Sequence, residues 1–184
     1  MMKLRGVDYG TIFCAPGSRG FFREGYRIHR FTRPAWGGTG FAAKTGTMEK
    51  WAGNMTLGED GITPVEIYPR SILVKLLSGH ILNAVKLSNP GYPALLEKGI
   101  WQELENPFFL SFAAVGKTRN ERMEETREFV ALLSCHLPFR APVGLQLDFG
   151  CPNIDLDYDE IGETLARQTL DDMRTDQQIA LFLS

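Results

Sequence analysis

Residues 145–153 read "LQLDFGCPN": apolar residues alternate through Leu145, Leu147 and Phe149, and the run stops at Gly150-Cys151-Pro152-Asn153. Alternation over this length is the mark of a β-strand, and the Gly, Pro and Asn that follow are loop formers. The strand would deliver a thiol into a stiffened loop, with Asp148 three positions before it and Asn153 two after. Groups that can move a proton or grip a polar ligand are thereby set at a strand end.

Around this stretch the chain alternates strands and helices. Residues 9–15, "YGTIFCA", and 40–44, "GFAAK", read as short buried strands. Between them, residues 17–40 are rich in Gly, Arg and Phe without period, a long irregular connection of the kind that is usually functional or mobile. Residues 71–77 and 81–87 flank Ser78-Gly79-His80 and predict a hairpin. Residues 92–104 carry Leu95, Leu96, Ile100 and Leu104 at helical spacing. "FFLSFA", residues 108–113, is the next strand. Thr118-x-x-Glu121 predicts a capping box opening a helix with Met123, Val130, Leu133 and Leu137 on one face. Residues 143–149 form a strand, 159–174 a helix and 179–183 a last strand.

Near-continuous apolar strands separated by helices are the pattern of parallel β/α units covered by helices. An open dinucleotide-binding sheet would show G-x-G-x-x-G after its first strand, which "APGSRG" lacks. The reading is therefore a TIM (β/α)8 barrel. Such a barrel takes roughly 250 residues, so the 184 residues are expected to be its first half or slightly more, one domain over residues 1–184.

Composition narrows the function classes. With 43% hydrophobic and 23% charged residues and a net charge of −2, the chain predicts a soluble protein without an overall basic footprint for nucleic acid. No apolar stretch is long enough for a membrane span, and no leader is read at the start. Three widely spaced cysteines, Cys14, Cys135 and Cys151, argue against a disulfide framework and for the cytoplasm. The lack of Cys-x-x-Cys or His-x-x-x-His argues against zinc. Cys14 and Cys135 read as small buried hydrophobes, and His29, His80 and His136 as structural.

In barrels of this kind, chemistry sits at the carboxyl ends of the strands. Three places there hold reactive groups: Lys44, residues 83–89 with Asn83 and Asn89, and residues 148–153. Cys151 would need a nearby cation to serve as a thiolate, because a free thiol has a pKa of about 8.5; Lys44 is the obvious one. Asn83 and Asn89 suit turns as well as ligand binding.

At these residues the sequence resembles the dihydroorotate dehydrogenases, FMN-dependent barrels of pyrimidine biosynthesis. "AKTGTMEKWAGN" (43–54) resembles the family's lysine block, "LNAVKLSNPG" (82–91) its asparagine loop, "FFLSFAA" its third core strand, and "LQLDFGCPN" the strand bearing the catalytic loop. The resemblance implies hydride transfer from a dihydropyrimidine to FMN, with Cys151 as the proton-abstracting base of the cytosolic, cysteine-using class. It also implies that Lys44 touches flavin and substrate carboxylate, and that Asn83 and Asn153 grip the pyrimidine. Val85, Lys86 and Leu87 would hold the carboxylate, and Ala15, Thr45 and Asp148 would lie against the flavin. Amides suit such a ring because they both donate and accept.

The chain departs from the family pattern at Asp148, where the family has asparagine, and at Lys86, where it has glycine. A carboxylate at 148 accepts hydrogen bonds only and repels an anionic substrate. Two other readings share some of these features. A dihydrouridine synthase has a similar "FGCP" loop and would want a basic face for RNA. A non-catalytic half-barrel would associate through its open sheet edges, giving a homo-oligomer.

Overall fold

The computed structural model describes residues 2–75, 78–148 and 179–183. The chain opens with a small hairpin, β1 (Lys3–Leu4) and β2 (Val7–Asp8), paired antiparallel. Its two-residue turn, Arg5-Gly6, has positive φ at both positions (48° and 80°), the geometry that matches the twist of flanking strands. Met2, Leu4 and Val7 of this hairpin pack on Tyr9, Ala42 and Phe109.

Five strands then form one parallel sheet: β3 (Ile12–Phe13), β4 (Thr39–Ala42), β7 (Phe108–Phe112), β8 (Val143–Leu147) and β9 (Ile179–Leu183), in that spatial order. The intervening β5 (Ile72–Lys75) and β6 (His80–Asn83) are a separate antiparallel hairpin. Each strand of this sheet lies beside the sheet strand that follows it in sequence. The described residues thus establish a mixed α/β protein built on a parallel sheet.

Strand alternation gives the sheet two faces. Phe41, Phe108, Leu110, Phe112, Val143, Leu145 and Leu147 share a core with helix α2 (Tyr92–Leu96) and helix α3 (Arg119–Cys135). Stacked rings of Phe112 and Phe129, with centroids 4.1 Å apart, join β7 to α3. On the other face Ala42 and Phe109 meet Tyr9 and Phe13. Phe109 is in register with Gly144, where a Cβ would lie 2.3 Å from the Phe109 ring. Glycine there lets a large ring fill the space beside β8.

Most predicted elements are present, with informative differences. The hairpin and the strands at 40–44, 108–113, 143–149 and 179–183 appear within a few residues of their expected bounds. The first strand is shorter than 9–15, although Cys14 N–H still donates to the Gly40 carbonyl at 3.1 Å. The predicted helix over 92–104 ends at Leu96: Gly99 sits at φ +66° and a short 3-10 turn, Trp101–Glu103, follows. Glycine at that conformation stops the helix despite the apolar spacing.

In α3 the capping box is complete: Thr118 Oγ1 accepts from Glu121 N–H and the Glu121 carboxylate accepts from Thr118 N–H. The buried face of α3 is carried by Arg122, Thr126, Phe129, Val130 and Leu133, whereas Leu137 lies past its end. Cys14 is buried as expected, but Cys135 is exposed at the last turn of α3. The predicted helix over 159–174 lies outside the described residues. No helix among the described residues is long and apolar enough to cross a membrane.

Candidate functional site

Because the sheet is parallel, its carboxyl ends gather along one edge. The ladder continues past the strand ends there. Gly46 N–H donates to the Ser111 carbonyl and Ala113 N–H to the Gly46 carbonyl, both at 2.9 Å, and Asp148 N–H donates to the Phe112 carbonyl at 2.8 Å. Lys44, Thr45, Ser111 and Asp148, spread over a hundred residues of sequence, are thereby brought to the same edge.

Lys44 follows β4 directly and is 7% exposed. Its backbone N–H donates to the Gly20 carbonyl at 2.9 Å, and its ammonium donates to the carbonyl of Ser88. The ammonium also stands 5.0 Å from the centre of the Phe21 ring, a favourable placement for a cation. Burial pushes the Lys44 pKa down to about 8, and the nearby Glu24 charge offsets part of that. A buried lysine poised near neutrality can hold an anion or exchange a proton.

Glu24 belongs to the turn against which Lys44 packs. Although much of the residue is exposed, its carboxylate is turned back onto the backbone, accepting from Phe21 N–H at 2.8 Å and Phe22 N–H at 2.6 Å. Desolvation raises its pKa, against the pull of those N–H bonds and of Lys44. The two opposite charges therefore stabilise one another at the mouth of the sheet.

The second wall of the site is the loop after β6. Lys86 and Leu87 have consecutive positive φ values, 53° and 57°, a conformation that costs a non-glycine residue about 1 kcal/mol or more. Asn89, buried, holds it: its Nδ2 donates to the Leu87 carbonyl at 2.6 Å and to Thr47 Oγ1 at 2.9 Å, while its Oδ1 accepts from Gly91 N–H at 2.8 Å. Ser88 Oγ accepts from Met55 N–H at 2.9 Å and donates to the Val85 carbonyl at 3.1 Å. Gly53 fits beneath; a Cβ there would lie 2.5 Å from the Lys86 carbonyl oxygen and 2.6 Å from Ser88 N. Among the described residues neither the Lys86 nor the Leu87 N–H has a backbone acceptor, and consecutive positive φ values are the backbone form of an anion-binding nest.

The sequence-derived residues take different places. Thr45 is buried, its hydroxyl 2.9 Å from that of Ser111. Val85 and Leu87 are buried, and Lys86 points to the exterior surface. Asn83 is exposed at the end of β6, its Oδ1 accepting from Val85 N–H at 3.0 Å, a turn-forming contact. Ala15 is exposed in the turn after β3, its carbonyl accepting from Ser18 N–H and Oγ. Asp148 sits at the edge, half-buried. Cys151 and Asn153 lie outside the described residues.

Sequence reasoning missed several residues. Ser88 supplies the carbonyl that anchors Lys44, and Ser111 joins Thr45 to β7; a lone hydroxyl inside the apolar run "FFLSFA" was the signal for the second. Glu24 had none, since an acidic residue in an irregular segment is ordinarily solvated. Two histidines make local backbone contacts: His29 Nδ1 accepts from Tyr26 N–H at 3.1 Å, and His136 Nδ1 lies 2.8 Å from the Leu132 carbonyl; His80 is exposed in β6. No cluster of His, Cys, Asp and Glu suited to a metal occurs among the described residues.

Fold and site together define a parallel α/β protein with a buried lysine and a strained backbone loop at the carboxyl edge of its sheet. No family model and no curated protein matches the chain.

Proposed function

We propose that the chain is part of an FMN-dependent β/α barrel oxidoreductase of the dihydroorotate dehydrogenase type, oxidising a dihydropyrimidine carboxylate. The observation that carries this reading is the meeting of Lys44 with the loop at residues 85–88. Lys44 and the positive-φ pair Lys86 and Leu87, 42 and 43 positions further on in sequence, are joined through the Ser88 carbonyl, so a carboxylate there could be held by the cation and by loop N–H groups. Five parallel strands in sequential order are compatible with the start of a barrel.

The donor set suits a flavin beside an anionic substrate. Lys44 can place positive charge against an electron-rich ring, and Thr45 and Ser111 offer hydroxyls at the same edge. FMN, when bound, would accept the hydride. The protein's own part is binding, orientation and proton movement. Lys44 holds the carboxylate and, being close to neutrality, can be charged when the ligand is present. Cys151, which follows β8 in sequence, would take the proton; Asn83 and Asn153 would read the ring. Asp148 supplies an acceptor and negative charge, which favours a substrate with a donor at that position over orotate.

A titration of the protein with FMN, followed by flavin absorbance, tests the reading. A saturable spectral shift that dihydroorotate bleaches under anaerobic conditions is expected. An unperturbed flavin spectrum at saturating protein would remove the flavin assignment for this chain.

A further inference from the structure

The irregular connection between β3 and β4 carries a charge pattern that the redox reading does not use. Residues 17–40 hold five arginines, at 19, 23, 27, 30 and 33, and one acidic residue, Glu24, in a protein whose net charge is −2. Two of those arginines converge on one ring. The guanidinium carbons of Arg19 and Arg23 lie 5.5 and 5.1 Å from the centre of Phe41, and Arg19 also lies 5.4 Å from the centre of Trp36. Phe41 belongs to the helix-side face of the sheet. The connection here has only the four-residue helix α1 (His29–Thr32), and arginine side chains cover the ring.

Two like charges thus stand against one ring. Neither arginine forms an ion pair among the described residues. The Nε of each is buried without a hydrogen-bond partner. The one acidic side chain of the segment is already bonded to the Phe21 and Phe22 N–H groups. Burial, followed by the Arg19 charge, lowers the pKa of Arg23.

The backbone does not let the pair separate freely. Gly25 N–H donates to the Arg19 carbonyl at 2.9 Å, Lys44 N–H to the Gly20 carbonyl at 2.9 Å, and Trp101 Nε1 to the Phe21 carbonyl at 2.7 Å. Arg23 itself is held at φ +73°, a conformation that persists in a non-glycine residue only where surroundings impose it, often at ligand clamps. A turn fixed at three points thus holds both guanidinium groups against the Phe41 ring.

We propose that Arg19 and Arg23 form an oxyanion site at the Phe41 ring, built of residues that the Lys44 contact does not use, which takes the phosphate group of a small phosphate monoester. Two planar forks match phosphate oxygens in bidentate fashion, and a monoester carries close to two negative charges at neutral pH, equal to the charge of the pair. Trp36, on the flank of Arg19, gives the organic part of such a ligand an apolar surface.

The test needs no flavin, so its outcome is independent of the redox reading. Inorganic phosphate is titrated into the full chain by calorimetry at constant ionic strength, with sodium chloride as the balancing salt. One-to-one saturable binding is expected, together with a rise in melting temperature over the chloride control. Arg19→Gln and Arg23→Gln should each weaken binding at least tenfold. Arg30→Gln, an exposed arginine of the same segment, should change it less than twofold.

Absence of saturable phosphate binding to the unaltered protein overturns the proposal, whatever the variants do. Equal losses from Arg30→Gln overturn it also, because the effect would then be diffuse charge. A short single-stranded RNA that binds with a steep salt dependence, where phosphate alone does not bind, would replace the monoester by a polyanion.

Discussion

The ammonium of Lys44 donates to the backbone carbonyl of Ser88 across 44 positions of sequence, at a point where the side chain has left water almost completely. One hydrogen bond therefore ties the end of β4 to the loop that follows the β5/β6 hairpin. It also fixes where the only buried lysine among the described residues can place its charge.

The energetic consequence is a pH-dependent cost. With Lys44 at about 8 in the folded state against its ordinary value of 10.5, the unfolded chain binds more protons between those two values. Stability from this group is complete above about 10.5 and is lost as pH falls through 8. Lys44→Met should accordingly stabilise the protein at pH 7 by about 2 kcal/mol, after allowance for the lost bond to Ser88. The gain should vanish near pH 10.5, as read by urea unfolding at both pH values. The same variant should lose the flavin response, the opposing signs being what a binding residue kept against stability would produce.

Gly53 is the second point of leverage. Alanine there would set a methyl group against the Lys86 carbonyl and Ser88 N, and would have to adopt φ +54°. Backbone atoms held by Asn89 cannot move aside cheaply. Gly53→Ala should destabilise by about 2–4 kcal/mol and displace the strained loop. Denaturant midpoints read the first effect, and a weakened affinity for a dihydropyrimidine carboxylate, at temperatures where the variant is still folded, reads the second.

Charge at the end of β8 gives a prediction of opposite direction. Asp148→Asn removes an anion from the edge where Lys44 stands and adds a donor. Orotate should bind about tenfold tighter by calorimetry if the site takes that substrate class, and equal or weaker binding would contradict the assignment. In the same background Cys151→Ala should slow flavin reduction by about 100-fold or more, the usual weight of a positioned base; an unchanged stopped-flow rate would take the thiol out of the mechanism.

Much of this architecture is legible in the amino-acid order because it is local. Alternating apolar residues announce β7 and β8, Thr118 and Glu121 announce the start of α3, and Ser78-Gly79-His80 announces a hairpin. Where a local signal competes with another, the weaker loses: the apolar spacing of residues 92–104 predicts a full helix, and Gly99 ends it early. Apolar spacing also put Leu137 on the face of α3 and left out Phe129, which in the folded chain stacks on Phe112. That contact depends on where β7 lies, which no window along the helix contains.

Among the described residues the sequence by itself determined most of the segments that extend or coil, and that a lysine and an asparagine-containing loop follow strand-like runs. Tertiary structure alone decided that Lys44 reaches the Ser88 carbonyl, that Asn89 ties the loop to Thr47, and that Arg19 and Arg23 share one ring. The reason is that strand and helix propensities act over a few neighbouring residues. Desolvation, like-charge proximity and the bracing of a strained backbone arise only when a parallel sheet brings distant segments to a common edge.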